Sequence, residues 1–268
     1  MSRIVEKYAE LPKPLRKPLW QWWHKTMNKY DGENAANFMN YGYEPLNGDA
    51  KLKLEENDEP SRYCAQLYDH VVNKAELKGK KVLEVGSGRG GGASYITRYY
   101  KPESFTGMDI TPSSIDFCNK YYNDIEGLGF KAGNAEKLPF EDNSFDFVVN
   151  VESARCYNDQ PAFFSEVFRV LKADGKLLMA DMRYPNEMDD LRKMLKDAGF
   201  KTKHETNISK NVVAALEKDS QRREDLIDTK APKFLRSSFK TFAGTVGTSR
   251  FNNFATGVFQ YWSFVMEK

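Results

Sequence analysis

The sequence predicts an α/β fold built on a mostly parallel sheet, with helical segments added at the N-terminus and just before the last strand. Three observations predict it. Short apolar runs alternate with helical patterns from residue 61 to about residue 200, which is the signature of βαβ units. A glycine cluster, Gly86 to Gly92, directly follows the first apolar run and precedes a helical pattern. The alternation then stops, and a β-rich run, Val258-Phe259-Gln260-Tyr261-Trp262-Ser263-Phe264-Val265-Met266, closes the chain.

In order, helices are expected over 61–75, 93–100, 113–122, 161–171 and 187–198, and strands over 81–85, 104–109, 128–132, 145–150, 176–181 and 201–205. Thr111-Pro112 starts the third helix with Pro in its first turn. Helices over 208–229 and 233–242 come next, and the final strand over 257–266. Upstream, Pro12, Pro14 and Pro18 interrupt structure. Trp20, Trp23 and Met27 then fall on one face of a helix over 20–29. Asn40-Tyr41-Gly42-Tyr43 reads as a loop or lid, and the acidic run 55–59 as solvated. The organisation is therefore an N-terminal lid or cap over 1–60, a core over 61–207, a helical cap insertion over 208–250, and the final strand of the core over 251–268.

The 268 residues are enough for one large core. With 40% apolar and 29% charged residues and a formal charge of +2, the chain reads as globular. No basic block asks for nucleic acid. The three cysteines, Cys64, Cys118 and Cys156, show no zinc spacing and suit a reducing compartment. His24, His70 and His204 share no metal spacing, so no metal is expected. No signal-peptide run opens the chain and no apolar stretch of roughly 18 residues occurs. The expectation is a cytoplasmic protein without stable membrane insertion. Asn207-Ile208-Ser209 matches a glycosylation acceptor by chance.

The chemistry concentrates in Val82-Leu83-Glu84-Val85-Gly86-Ser87-Gly88-Arg89-Gly90, a strand running into a glycine turn that opens a helix. Glycines permit a ligand to approach the backbone closely at a strand's carboxyl end. A structural tight turn and a dinucleotide site are rival readings. Glu84 separates them, because a carboxylate there repels a pyrophosphate but suits the ammonium of a methionine moiety. Asp109 ends the next strand, where a carboxylate accepts from both ribose hydroxyls, and Ile110 beside it suits an adenine face.

Glu84-Val85-Gly86-Ser87-Gly88, then Asp109, then Gly133-Asn134-Ala135-Glu136-Lys137-Leu138-Pro139-Phe140, then Phe145-Asp146-Phe147-Val148-Val149-Asn150 resemble the successive motifs of class I S-adenosylmethionine-dependent methyltransferases across residues 80–182. The resemblance implies a Rossmann-like sheet and S-adenosylmethionine as cofactor, with Asn134 and Ala135 at the adenine. Asn134 stands where that family usually has Asp; an amide still offers a carbonyl oxygen as acceptor. The implied cofactor residues are Tyr41, Glu84, Gly86, Ser87, Gly88, Asp109, Ile110, Asn134, Ala135 and Asn150. Phe38-Met39-Asn40-Tyr41-Gly42-Tyr43, Gly90-Gly91-Gly92-Ala93-Ser94-Tyr95, Val151-Glu152-Ser153-Ala154-Arg155-Cys156-Tyr157, Arg223-Asp225-Leu226 and Phe234-Leu235-Arg236 further resemble phthiotriolone, fatty-acid and sugar O-methyltransferases. Those enzymes carry a His where this chain has Arg155.

Arg does not take a proton at neutral pH. With Arg155 and Tyr157 as the catalytic candidates and Trp23, Tyr43, Glu152 and Cys156 facing a small-molecule acceptor, a nucleophile that ionises easily is favoured. A thiol of pKa about 8.5 beside a cation fits. The expectation is S-methylation of a low-molecular-weight thiol. The alternative is O-methylation of a lipid, fatty acid or secondary metabolite.

Overall fold

The structure is a computed structural model that describes residues 37–46, 48 and 52–268. Trp23, and with it the helix expected over 20–29, lies outside the described residues.

The elements in chain order are α1 (Arg62–Val72), β1 (Lys81–Val85), α2 (Gly91–Tyr100), β2 (Ser104–Asp109), α3 (Pro112–Tyr121), β3 (Leu128–Ala132), β4 (Phe145–Val151), α4 (Gln160–Val170), β5 (Leu171–Arg183), α5 (Met188–Asp197), β6 (Lys201–Asn207), α6 (Ser209–Lys230), α7 (Arg236–Ala243), α8 (Ser249–Ala255) and β7 (Gln260–Glu267). The strands form one sheet of order β3-β2-β1-β4-β5-β7-β6. Strands β3 to β5 are mutually parallel, and β7 runs antiparallel between β5 and β6. This is the mostly parallel α/β sheet that the alternation predicts, in the Rossmann-like form that the resemblance implies. The strand order reverses between β1 and β4, and open α/β sheets place ligands at such a switch, outside the carboxyl ends of the strands.

Successive residues of a strand face opposite sides of a sheet, so a sheet covered on both sides needs continuous apolar strands. Val82 and Leu178 join the core under α1, α2 and α6, with Leu67, Ile96 and Leu216. Their neighbours Leu83, Leu177 and Met179 face the other core under α4 and α5, with Phe163, Val167 and Leu191.

Three details differ from the sequence reading. β5 is 13 residues long rather than six, because a register irregularity near Phe145 lets its first residues pair there as well. Helical structure continues past residue 250 through α8, whose Thr248 hydroxyl accepts the Phe251 amide as a cap while Phe251 and Phe254 are buried. The acidic run 55–59 is not merely solvated. Glu55 and Asp58 pair with Arg98 at 2.7 and 2.8 Å, and Asp58 also accepts the Tyr99 hydroxyl. Both acids tie the segment before α1 to α2.

Candidate active site

The carboxyl ends of β1 and β2 build a cradle. The Gly86 and Ser87 amides both donate to the Met108 carbonyl, at 2.7 and 3.0 Å, which locks the turn after β1 onto β2. Gly86 has φ +83°, and a Cβ there would stand 2.5 Å from Ser153 Cβ. Only glycine satisfies both conditions. The Gly88 amide donates to Asp109 Oδ2 (3.0 Å) and the Thr111 amide to Oδ1 (2.9 Å), so the carboxylate is fixed in place at the end of β2. Ile110 is half-buried beside it.

Glu84 is fully buried. Its Oε1 accepts the Tyr68 hydroxyl at 2.7 Å, while its Oε2 and the nearby Ser87 hydroxyl have no partner among the described residues. Burial, reinforced by the Asp109 charge, lifts the Glu84 carboxyl to about 8 even though the Tyr68 hydroxyl opposes the shift. A buried polar atom without a partner is costly. An ammonium and a carboxylate of a methionine moiety would supply what Glu84 Oε2 and Ser87 Oγ lack, so the residues present fit S-adenosylmethionine.

Asn134 is exposed, and its Oδ1 already accepts the Glu136 amide at 3.1 Å. One lone pair remains for an adenine amine. Ala135 is buried below it. Asn150 is fully buried, and its amide is spent within the protein: Nδ2 donates to the Val85 carbonyl and to Ser153 Oγ, and Oδ1 accepts the Ala154 amide. It therefore positions the turn after β4 against the turn after β1. The Tyr157 hydroxyl donates to Ser153 Oγ at 2.9 Å, and burial keeps that phenol protonated.

Beside the cradle lies an apolar cavity of about 160 Å³. Phe38, Met39, Leu226, Ile227, Phe239 and Phe242 line it, together with Glu152. Residues 38–41 line one side of it and run on to Glu44 as a strap. The Tyr43 amide bonds to α1 at the Tyr63 carbonyl, and the Glu44 amide bonds to α6 at the Asn211 carbonyl. From α6, Arg223 donates to the Asn40 and Tyr41 carbonyls (3.1 and 3.2 Å) and to Ala243 at the end of α7, while pairing with buried Asp219. One guanidinium thus joins the strap, α6 and α7.

Tyr41 is buried, edge-on to Phe254 at 4.9 Å, and its amide donates to Glu152 Oε1. It borders the cavity. Tyr43 stacks on His70 at 4.3 Å and is not part of the cavity wall. Cys156 is accessible, and surrounding protein lifts its thiol to about 11. Arg155 is not a free cation. Its guanidinium sits 3.4 Å from Glu187 and over the Tyr184 ring at 4.8 Å, and its amide donates to Asp181. Tyr68, Ser153 and Tyr261 join the site without having been singled out in the sequence. Tyr68 and Tyr261 lie in ordinary helix and strand patterns and Ser153 in the turn after β4, and only contacts across the fold reveal their part in the site.

A family model described as a methyltransferase domain matches residues 83–179. The phthiotriol/phenolphthiotriol dimycocerosates methyltransferase of Mycobacterium leprae is 38% identical over 232 residues, covering 87% of this chain and 85% of its own length. The chain belongs to the S-adenosylmethionine-dependent methyltransferases. The enzyme is also 41% identical to the fatty-acid O-methyltransferase of Mycolicibacterium smegmatis over 201 residues, 74% of this chain and 72% of that one. Two solved structures share the fold. The [4+2]-cyclase SpnF has a TM-score of 0.71 at 19% identity and 94% coverage of both chains. The cyclopropane synthase MmaA2 of Mycobacterium tuberculosis has a TM-score of 0.68 at 13% identity, covering 89% of this chain and 95% of its own. Neither of these two relatives is named for a thiol. No helix among the described residues is long and apolar enough to cross a membrane.

Proposed function

We propose that the enzyme methylates an oxygen atom of a lipid or other long apolar acceptor. The observation that carries this reading is the cavity beside the cofactor cradle, walled by aliphatic and aromatic side chains of the strap, α6 and α7. A low-molecular-weight thiol has no use for such walls, whereas an alkyl chain is desolvated by them. The names of the two relatives, one a phthiotriol methyltransferase and one a fatty-acid O-methyltransferase, point the same way. The thiol expectation rested on Arg155 as an available cation. Its pairing with Glu187 and its place over Tyr184 and Phe259 remove that support.

S-adenosylmethionine, when bound, supplies a methyl group on an already activated sulfonium. The protein's task is then alignment and exclusion of water. Glu84, Ser87 and the Gly86 turn hold the methionine end in this reading. Asp109 takes the ribose, Ile110, Asn134 and Ala135 take the adenine, and the strap closes over the acceptor.

The experiment is a turnover screen of the purified enzyme with S-adenosylmethionine against long-chain alcohols, long-chain fatty acids and small thiols, read by mass spectrometry of the methylated product. Methylated long-chain oxygen acceptors are expected, with thiols inert. Methylated thiols with inert lipids would reinstate the thiol reading.

A further inference from the structure

Alcohol transfer needs a group to receive the acceptor's proton, and Arg155, which stays protonated at neutral pH, does not provide one. We propose that Glu152 is the general base, and that its carboxylate selects a hydroxyl acceptor over a carboxylate one. The proposal rests on the reading of the cavity as the site of an oxygen acceptor.

Four features place Glu152 in this role. It follows β4 with φ +54°, in the left-handed region that non-glycine residues seldom adopt, and its amide is held by the Ala180 carbonyl. The Tyr41 amide and the Tyr261 hydroxyl both donate to Oε1, each at 2.7 Å. They fix the carboxylate and leave Oε2 without a hydrogen bond among the described residues. Glu152 lines the apolar cavity. The next residue, Ser153, abuts Gly86 of the cofactor turn, so the base borders both the acceptor and the methyl donor.

The charged and titratable groups around Glu152 are Tyr41 of the strap, Cys64 and Tyr68 of α1, Cys156 after β4, Asp181 of β5, Arg223 of α6 and Tyr261 of β7. Asp219 is shared between Arg223 and Arg222, and Arg222 and Lys230 also line the cavity. Burial lifts the Glu152 carboxyl to about 7, against the two donors on Oε1. A base of that strength is about half ionised near neutrality and still accepts a proton readily.

In the step, the acceptor's hydroxyl proton moves to Glu152 Oε2 as the acceptor oxygen bonds to the methyl carbon. The methyl–sulfur bond breaks, its electron pair stays on sulfur, and S-adenosylhomocysteine is released. Glu152 then returns its proton to water. A carboxylate acceptor has no proton to give to Glu152 and meets it as a like charge, an effect that Arg222, Arg223 and Lys230 of the same wall offset only in part.

The test uses Glu152→Gln and Tyr261→Phe in the full chain. With a long-chain alcohol, Glu152→Gln is expected to lose roughly 100-fold or more in kcat, while S-adenosylmethionine affinity stays within about threefold. Retention of a third or more of wild-type kcat would overturn the base role. Binding is read separately by calorimetry without cofactor at pH 8. A long-chain fatty acid should bind Glu152→Gln on the order of tenfold more tightly than wild type, the alcohol equally to both. Equal fatty-acid affinity for both proteins would overturn the selection. Tyr261→Phe removes one donor to the carboxylate, so the rising limb of kcat/KM against pH should move to higher pH. An unmoved limb would overturn the role, even if Glu152→Gln fails to fold. Should the wild type methylate neither alcohols nor fatty acids, the proposed function falls. The limb measured with whatever acceptor is found, in wild type and Tyr261→Phe, then still decides Glu152.

Discussion

Two carboxylates at the carboxyl ends of the adjacent central strands β1 and β4 show how differently the two sides of the site are built. Glu84 at the end of β1 is fully buried and Glu152 just after β4 is half-buried, and desolvation lifts them to about 8 and about 7. The Glu84 surroundings come from Tyr68 of α1, 16 residues away, the turn that follows β1, and Asp109 on the adjacent strand. The Glu152 surroundings come from residue 41, residue 223 and residue 261, brought together only by the fold. The proposed cofactor half thus draws on a short stretch of chain around Glu84, and the proposed acceptor half is assembled from distant segments. A universal ligand suits the first arrangement. The second leaves the acceptor pocket to be set by distant elements.

The largest break of this contrast is expected at Gly86. Gly86→Ala forces a Cβ into Ser153 at a φ that L-residues avoid. It should weaken S-adenosylmethionine binding on the order of 100-fold or more, measured by calorimetry. Wild-type affinity in this variant would show that the turn is not the cradle.

Arg223→Met tests the other half. It keeps much of the buried stem but strips the donors from the Asn40, Tyr41 and Ala243 carbonyls. A loss of about 3 kcal/mol in denaturant unfolding is expected, from unpaired buried groups. Acceptor turnover should fall more than cofactor affinity. Equal losses of both would erase the distinction between the halves.

A smaller effect lies in pH. The folded-state values of Glu84 and Glu152 stand above the ordinary carboxylate value of 4.5, so the native state holds protons that the unfolded chain has released. Their contribution to stability is complete below about 4.5 and is lost as pH rises toward 7 for Glu152 and toward 8 for Glu84. Burial depresses His70 to about 4, and it acts oppositely only below its ordinary value of 6.5. Between pH 6.5 and 8 the melting temperature of the cofactor-free enzyme should therefore fall, and Glu84→Gln should flatten the fall more than Glu152→Gln. A slope unchanged in Glu84→Gln would remove Glu84 from the account.

The smallest effect is expected at Arg155. Arg155→Leu loses a partly exposed pair with Glu187, worth about 1 kcal/mol or less. S-adenosylmethionine affinity and oxygen-acceptor turnover should both stay within about tenfold of wild type. A loss of on the order of 100-fold in turnover alone would return Arg155 to the chemistry.

By itself the sequence determined the α/β class, most of the strands and helices, and the position of the glycine turn after β1. Hydrophobic period and glycine chemistry are local properties, readable over a few residues, as Glu84 to Gly88 and Asp109 show. It also singled out Arg155, but not what Arg155 touches. Only the tertiary structure decided that Glu187 and Tyr184 take up that guanidinium, that Asn150 is spent on Val85 and Ser153, and that helix α8 extends the cap. The same holds for Tyr41, Arg223 and Tyr261, which meet around Glu152 across separations of 109 residues or more along the chain, apart from Arg223 at 71. Such contacts leave no periodic trace, because each side chain fits its own element equally well whether or not a distant partner awaits it.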